Sequence, residues 1–315
     1  MHKTLRCDPA LLTKNLAGRT YVVTGANSGI GLATTRQLVQ QGAHVVMGCR
    51  RVAAGQTAMA DAGDWPGSFE VIALDLGKLG SVRDFASQVN ARHSALQGLV
   101  NNAGIMGGGK ETTADGFEAQ LGVNHHGHVL LTELLLPALK AADDPHIVNV
   151  SSCFHVDARG QTGEIDLQDL DFDTRPYDPW KSYAQSKLAN VLHAKELARQ
   201  HGSDGLSAFS VHPGWVRSNL AARVMPAWVQ NVLMVPLAPI IDLIDNDDGA
   251  QTTLHCLLAD DAPKHNGAYF SQKGIYPDKA DRKGGWPLKS PNPQAHDVQL
   301  AQQLQQLTLR RVGLA

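Results

Sequence analysis

Short apolar segments alternate with longer amphipathic segments along most of the chain. Seven apolar segments have the length and composition of buried strands, at residues 20–24, 44–49, 69–76, 98–104, 146–152, 206–214 and 267–270. Helical patterns separate most of them. Strands that alternate with helices form a parallel sheet covered on both faces. The pattern therefore predicts a doubly wound α/β fold with a seven-stranded parallel sheet.

The first predicted strand leads into a glycine-rich segment, TGANSGIG, at residues 24–31. A helical pattern follows from Ile30, so the glycines lie where a strand passes into a helix. Missing side chains let the backbone approach a phosphate there, and the helix N-terminus offers unpaired N–H groups. Such glycines also occur in ordinary tight turns. The second strand follows at the spacing of a βαβ unit, which favours a dinucleotide site.

Arg50 and Arg51 follow the second predicted strand, where NAD-binding folds usually carry a carboxylate for the ribose 2′-hydroxyl. A guanidinium attracts a 2′-phosphate, whereas a carboxylate repels it. The alternative is that both arginines are solvated residues at a helix start, although a helix N-terminus is unfavourable for cations. The pair favours NADP(H) over NAD(H).

Polar residues stand at the ends of several predicted strands, namely Asp75, Asn101, Ser152 and Pro213 with its neighbours. In open parallel sheets, ligands bind beyond the carboxyl ends of the strands. The polar residues should therefore converge on one edge of the sheet, and that edge is the expected site.

Tyr183 and Lys187 are four residues apart in the segment SYAQSKLAN. Residues at this spacing share one helix face. A free tyrosine titrates near about 10, which is too high for efficient proton exchange at neutral pH. A nearby ammonium favours the phenolate, so the pair can exchange a proton with an alcohol. Together with the glycine-rich turn, it indicates hydride transfer between a nicotinamide and a carbonyl or alcohol.

These motifs resemble those of the short-chain dehydrogenase/reductase family, in the branch of the retinol dehydrogenases and the WW-domain oxidoreductase. The shared motifs are TGANSGIG, Asp75–Leu76, NNAG at 101–104, Asn124, Ser152, YAQSK at 183–187 and HPGWVRSN at 212–219. The resemblance implies one Rossmann-type domain over residues 1–315, with its core at 16–272. It implies a lid over the substrate at 219–247 and a tail at 284–315 that carries a docking helix.

The resemblance also implies roles for individual residues. Tyr183 would be the general acid/base, Ser152 would hold the substrate oxygen, and Lys187 would bind the ribose and acidify the tyrosine. Asn124 would anchor the proton path. The implied cofactor-binding set is Gly25, Asn27, Ser28, Gly29, Ile30, Gly31, Arg50, Arg51, Asp75, Leu76, Asn102, Ala103, Gly104, Tyr183, Lys187, Pro213, Gly214, Val216 and Ser218.

Residues 220–244 are rich in Leu, Val, Met, Ile and Trp, but charged residues and three prolines disfavour a transmembrane helix. As a lid, the segment argues for an apolar substrate. A compatible alternative is an interfacial anchor on a membrane surface. The substrate residues expected are His155, Trp215, Met225 and Trp228, although His155 is equally well a plain turn histidine.

The spacing between Ser152 and Tyr183 is longer than is usual in the family. The extra segment, residues 154–180, contains the acidic stretch EIDLQDLDFD. It is too acidic for a core strand and is expected to lie on the surface beside the active site.

Composition and charge limit the kinds of partner and location that are expected for the protein. A net charge of −2 offers no basic surface for nucleic acid. The four cysteines form no CxxC pattern and indicate reduced thiols, and the first residues are too short and polar for a secretory signal. A cytoplasmic homo-oligomer is expected, with membrane-surface association as an alternative. His125, His126 and His128 lack a carboxylate or cysteine that would complete a metal site, so no metal is expected.

The sequence therefore predicts an NADP(H)-dependent oxidoreductase that interconverts an alcohol and its aldehyde or ketone. An apolar substrate of retinoid, steroid or lipid type is expected. Two alternatives remain: a reductase of carbon–carbon double bonds, as in protochlorophyllide reductases, and a non-catalytic NADP(H)-binding sensor.

Overall fold

The computed structural model describes residues 3–216 and 243–315. Seven strands form one sheet in which every neighbouring pair is parallel. They are β1 (Thr20–Thr24), β2 (His44–Cys49), β3 (Ser68–Ala73), β4 (Gly98–Asn101), β5 (His146–Val150), β6 (Ser207–His212) and β7 (Tyr269–Ser271). Their order across the sheet is 3-2-1-4-5-6-7. The predicted doubly wound α/β fold is confirmed.

Helices cover both faces of this sheet. They are α1 (Gly29–Gln40), α2 (Val52–Ala58), α3 (Leu79–Arg92), α4 (Gly127–Lys140), α5 (Pro179–His201), α6 (Asn246–Leu258) and α7 (Val298–Arg311). Helix α4 is preceded without a break by a short helical turn, Ala119–Leu121, and a π-helical turn, Gly122–His126.

The core follows from the alternation of side chains along the strands. Val23 and Met47 lie in one apolar cluster with residues of α1 and α6, whereas Val22 and Val46 lie in a second cluster with residues of α3 and α4. Because successive strand residues point to opposite faces, adjacent positions enter different clusters. Both faces are buried, which explains why these strands read as continuous apolar segments.

The strand order reverses at β1, since β2 and β3 lie on one side of it and β4 on the other. Such a reversal separates the loops that follow β1 and β4 and opens a crevice at the carboxyl edge of the sheet. Several predicted strands were too long at this edge. Residues 102–104, 151–152 and 213–214 lie beyond the strand ends, at the edge of the sheet where the crevice opens.

The segment between Ser152 and Tyr183 is not simply a surface excursion. Its apolar residues Ile165, Leu170 and Phe172 are buried. The Asp169 carboxylate accepts backbone N–H groups from residues 173–175, and the Gln185 side chain on α5 donates to the Leu170 carbonyl at 2.8 Å. The buried Asp169 thus closes a turn, while the apolar residues around it fix the segment onto α5.

Helix α7 packs against α5 and α4 near the chain's end. Ala301 and Leu304 are buried in an apolar cluster with α5 residues, and Gln305 donates a hydrogen bond to Glu133 at 2.9 Å. Arg311 pairs with Asp171 of the inserted segment. Across the described ranges, no helix combines the length and apolar character needed to cross a membrane. Most of the segment expected to form a lid or anchor, residues 217–242, lies outside the described residues.

Candidate active site

A cleft of about 830 Å³ opens at the carboxyl edge of the sheet. It runs from the glycine-rich turn after β1 to the residues that follow β5 and β6. Most of the residues predicted for the cofactor and the reaction line it: Gly25, Asn27, Ser28, Gly29, Ile30, Arg50, Arg51, Asp75, Leu76, Asn102, Ala103, Gly104, Ser152, Tyr183, Lys187, Pro213, Gly214, Trp215 and Val216.

The glycine-rich turn has the form of an anion cradle. Gly29 has a φ of +58°, a conformation that favours glycine. The Ser28 side chain makes no capping hydrogen bond to α1, so the first N–H groups of that helix are available to a ligand in the cleft. These features fit a bound pyrophosphate.

Gly31 was predicted to bind the cofactor, but its position in the structure is set by packing. It does not line the cleft, and a Cβ there would lie 2.5 Å from the Asn102 side-chain nitrogen and 2.6 Å from the Gly25 carbonyl oxygen. The residue is glycine because α1 crosses the turn and the NNAG segment at close range.

Thr24 joins the glycine-rich turn to the NNAG segment. Its hydroxyl oxygen accepts the backbone N–H groups of Asn102 and Ala103, each at 2.9 Å, and lies 2.9 Å from Nε2 of His128. The Asn102 side chain in turn donates to the Thr24 carbonyl at 2.8 Å. Sequence reasoning missed Thr24 and His128, although Thr24 is the first residue of the glycine-rich motif.

Tyr183 and Lys187 lie on α5 with their side chains at the cleft, both only 3% exposed. The Lys187 ammonium donates to the Val150 carbonyl at 3.0 Å and lies 5.6 Å from the centre of the Tyr183 ring. The Ser151 hydroxyl donates to the Lys187 carbonyl at 2.7 Å, which ties the end of β5 to α5. Ser152, the next residue, faces the cleft.

The pKa of Tyr183 differs from the sequence-based expectation. Burial raises it above its ordinary value, and a hydrogen bond with Ser152 only partly offsets this. Burial also lowers the pKa of Lys187 to about 8. The Ser152 hydroxyl is the neighbouring group whose hydrogen bond favours the Tyr183 phenolate.

Asn124 is buried in the π-helical turn and does not line the cleft. Its side chain accepts from the Ile105 N–H at 2.8 Å, donates to the Ile105 carbonyl at 3.0 Å, and donates to Ser186 at 2.9 Å. It therefore fixes the backbone after NNAG to helix α5. Gly104 allows this close approach, since a Cβ there would lie 3.1 Å from the Asn124 side-chain oxygen.

Arg50 and Arg51 are exposed at the far end of the cleft, beyond β2. Asp75 and Leu76 lie at the same end, after β3, and the Asp75 carboxylate accepts the Gly77 N–H at 3.1 Å. In the described part of the chain, neither guanidinium has a carboxylate partner. Both are positioned to meet an anionic group.

His155 does not reach the cleft. Its ring is buried between the Ser152 carbonyl and the Ser290 hydroxyl, each at 2.6 Å, and it packs on Tyr269. The short helical turn after Ser152 directs His155 into the core and Phe154 into the cleft. The expectation that His155 contacts the substrate is therefore corrected, and its alternative as a turn histidine fits. Phe154 was missed, because its neighbours in space lie far away in sequence.

Three predicted residues, Ser218, Met225 and Trp228, lie outside the described residues.

The histidines of the 125–128 segment are buried and do not converge. His128 is held between Thr24 and the Asn124 carbonyl, whereas His125 lies beside Thr308 of α7. Burial lowers the pKa of His128 to about 4, so this ring is neutral at physiological pH.

Comparisons with known proteins agree with this geometry. The family model described as short chain dehydrogenase matches residues 19–161. Human retinol dehydrogenase 13 is 36% identical over 303 residues, covering 95% of this chain and 86% of that protein. The chain belongs to the short-chain dehydrogenase family. Human dehydrogenase/reductase SDR family member 13 is 43% identical and covers 82% of this chain and 67% of that protein. The family resemblance and its retinol dehydrogenase-like branch are thus confirmed.

Two solved structures share the fold of this chain. A crystal structure of an uncharacterized protein from Mycobacterium paratuberculosis is 35% identical, with a TM-score of 0.73, and covers 96% of both chains. A short chain dehydrogenase from Burkholderia cenocepacia in complex with NADP is 25% identical, with a TM-score of 0.64, and covers 82% of this chain and 97% of that chain. As a member of the short-chain dehydrogenase family, this chain is an oxidoreductase.

Proposed function

We propose that this short-chain dehydrogenase uses NADP(H) to interconvert an apolar alcohol and its aldehyde or ketone. One observation carries the proposal: Ser152, Tyr183 and Lys187 line the same cleft as the uncapped N-terminus of α1. The glycine-rich turn would hold the pyrophosphate of a dinucleotide, and Tyr183 and Lys187 would lie at its nicotinamide end. The names of the human relatives, which include retinol dehydrogenases, support an alcohol–carbonyl reaction.

The bound nicotinamide would supply the hydride acceptor or donor, and the chain's own residues would handle the proton. In carbonyl reduction the Tyr183 phenol donates its proton to the substrate oxygen as negative charge develops there. The Ser152 hydroxyl holds the same oxygen and stabilises that charge. A phenol whose pKa is raised by burial stays protonated until the oxyanion forms, which suits a donor.

Lys187 would act by position and charge. Its ammonium shares the Val150 carbonyl with the Asn190 side chain, at 3.0 and 3.1 Å, so one of its three hydrogens is used and two remain for a ligand in the cleft that Lys187 lines. These can bind ribose hydroxyls. The positive charge also favours the phenolate left after proton transfer.

Arg50→Asp should weaken NADPH binding by roughly tenfold to a hundredfold, since a charge-assisted contact is worth about 1.5–3 kcal/mol. The same variant should gain affinity for NADH, because a carboxylate can accept a ribose hydroxyl. Fluorescence titration of both cofactors measures the two dissociation constants. Arg310→Asp is the control, because this exposed arginine on α7 carries the same charge but lies on another element. If Arg50→Asp and the control bind NADPH equally, Arg51→Asp decides whether the neighbouring guanidinium reads the phosphate.

The apolar substrate class is supported by an aromatic wall at the catalytic end of the cleft. Phe154 packs edge-to-face on Tyr183 at 6.1 Å and on Trp215 at 5.6 Å between ring centres, and also contacts Trp180. Such a wall contributes apolar contact area beside the phenol that transfers the proton.

Phe154→Ala should raise KM for a long-chain aldehyde by about tenfold or more, because it removes roughly 1.5–3 kcal/mol of apolar contact. For a short-chain aldehyde the change in KM should be small. Steady-state kinetics with an aldehyde series measures both values. Equal shifts for short and long aldehydes would show that Phe154 supports Tyr183 rather than the substrate. Phe172→Ala, at a ring buried outside the cleft, controls for lost stability.

The proposal includes that the protein is cytoplasmic and that it forms a homo-oligomer. Light scattering during size-exclusion chromatography measures the mass in solution against the 33.8 kDa chain. A mass of one chain at micromolar concentration would contradict self-association.

A further inference from the structure

Two histidines and a glutamate meet near the amino edge of the sheet, away from the catalytic cleft. His44 is the first residue of β2, Glu70 lies in β3 beside it, and His93 directly follows α3. The catalytic residues follow the carboxyl ends of parallel strands, so this cluster lies on the opposite edge. Among the described residues, it is the group of three metal-ligating side chains close enough to share one ion.

The distances suit one small cation. Nε2 of His93 lies 2.7 Å from one Glu70 carboxylate oxygen, and Nε2 of His44 lies 3.7 Å from the same oxygen. All the candidate ligand atoms lie within 4.8 Å of one another. A tetrahedral ion bound at about 2.0–2.2 Å places its ligand atoms about 3.4 Å apart. Side-chain shifts of less than an ångström per residue therefore bring the three atoms into range.

The His44 ring is oriented as a metal ligand is oriented. Its Nδ1 lies 2.7 Å from the Ser68 hydroxyl, while its Nε2 is buried and has no hydrogen-bond partner. Metal-binding histidines usually donate their second ring nitrogen to an oxygen, which leaves the other lone pair free for the ion. In the tautomer with Nδ1–H on Ser68, the Nε2 lone pair is directed toward the Glu70 side, where a cation would be bound.

The neighbouring charges orient the Glu70 carboxylate toward the two histidines. Arg92 binds the second Glu70 oxygen and leaves the first to face the histidines. The three side chains are 16–28% exposed, which leaves an entry path for an ion.

We propose that His44, Glu70 and His93 bind one divalent transition-metal ion of the zinc type, with water completing the coordination. Two imidazoles and one carboxylate form a donor set that Zn²⁺ accepts in proteins, and they select against Mg²⁺, which prefers oxygen ligands. Such an ion would fasten the end of α3 to β2 and β3. It would stabilise the fold without entering the reaction. The sequence-based expectation of no metal rested on the histidines at 125–128 and the cysteines, and did not weigh these three residues.

Calorimetric titration of tag-free, chelator-treated full-length protein with ZnCl₂ tests the proposal. We expect one saturable site per chain, unaffected by excess Mg²⁺, and a rise in Tm on Zn²⁺ addition. Glu70→Gln keeps the shape but loses the charge, and should weaken binding by at least about tenfold, as should His44→Gln. His201→Gln is the matched control. That histidine also lies beside a carboxylate, Asp204, at 3.6 Å, but among the residues that the structure describes it belongs to no cluster of three.

Cobalt substitution adds a readout on wild-type protein that does not depend on whether the variants fold. Co²⁺ bound to wild-type protein should give the intense visible absorption of a tetrahedral site, and Zn²⁺ should abolish it. The proposal is overturned if wild-type protein shows no saturable Zn²⁺ binding. It is also overturned if Glu70→Gln binds Zn²⁺ as tightly as His201→Gln does, because the ion would then lie elsewhere. Turnover by Glu70→Gln should stay within about twofold of wild type, since the cluster is remote from the cleft.

Discussion

Tyr183→Phe is expected to lower kcat for carbonyl reduction by roughly 10²- to 10⁴-fold, the usual contribution of a positioned proton donor. The phenol lies at the cleft beside Ser152, and phenylalanine keeps its ring while removing the only atom that can transfer the proton. NADPH affinity should change by less than about threefold, because the variant retains Lys187 and the glycine-rich turn. Single-turnover kinetics and a cofactor titration measure the two effects separately.

Tyr276→Phe is the matched control for this experiment. Its phenol is also buried and hydrogen-bonded, with Tyr269 at 2.8 Å and Ser271 at 2.6 Å, but it does not line the cleft. The control should lose stability and keep kcat within about twofold. Retention of more than about a tenth of wild-type kcat by Tyr183→Phe would refute the role of this phenol, because a proton donor contributes at least a hundredfold.

Lys187→Met is expected to impair both catalysis and cofactor binding. Methionine fills much of the same volume but removes the ammonium that would bind the ribose and stabilise the phenolate. The Val150 carbonyl keeps its hydrogen bond from Asn190 at 3.1 Å, so the substitution leaves no orphaned acceptor. We expect kcat to fall by about 10²-fold and the Kd for NADPH to rise by about tenfold or more.

Lys195→Met separates this effect from the general loss of a partly buried lysine on this helix. Lys195 lies on the same helix, and burial lowers the pKa of its ammonium as it does for Lys187. It does not line the cleft. Its variant should bind NADPH normally. If Lys187→Met loses kcat but keeps its NADPH affinity, the ammonium acts on the phenol alone and the ribose contact is wrong.

The fold could be predicted from the sequence because both faces of the sheet are buried. Continuous apolar segments such as 44–49 are typical of strands that are buried on both faces of a parallel sheet. The strand ends were less accurate. Residues such as Asn102 and Ser152 carry apolar neighbours but turn out of the sheet, and only their packing across the cleft decides where each strand ends.

The site was predictable where spacing along one element carries the information. Tyr183 and Lys187 share a face of α5 whatever surrounds that helix. Contacts between distant segments could not be read in this way. The Asn124 contacts to Ile105, the turn that sends Phe154 rather than His155 into the cleft, and the His44–Glu70–His93 cluster all depend on tertiary packing. The direction of the Tyr183 pKa shift likewise depends on burial, which the spacing does not reveal.

The most direct test of the central claim uses an α,β-unsaturated aldehyde and NADPH carrying deuterium at the transferable position of the nicotinamide. The proposed function predicts an allylic alcohol with deuterium on the former carbonyl carbon, formed by wild-type protein and not by Tyr183→Phe. Mass spectrometry and NMR of the product locate the label. Deuterium on the β-carbon of a saturated aldehyde would show reduction of a carbon–carbon double bond instead. Absence of labelled product across a series of apolar aldehydes, with NADPH bound, would indicate a cofactor-binding sensor and contradict the proposed function.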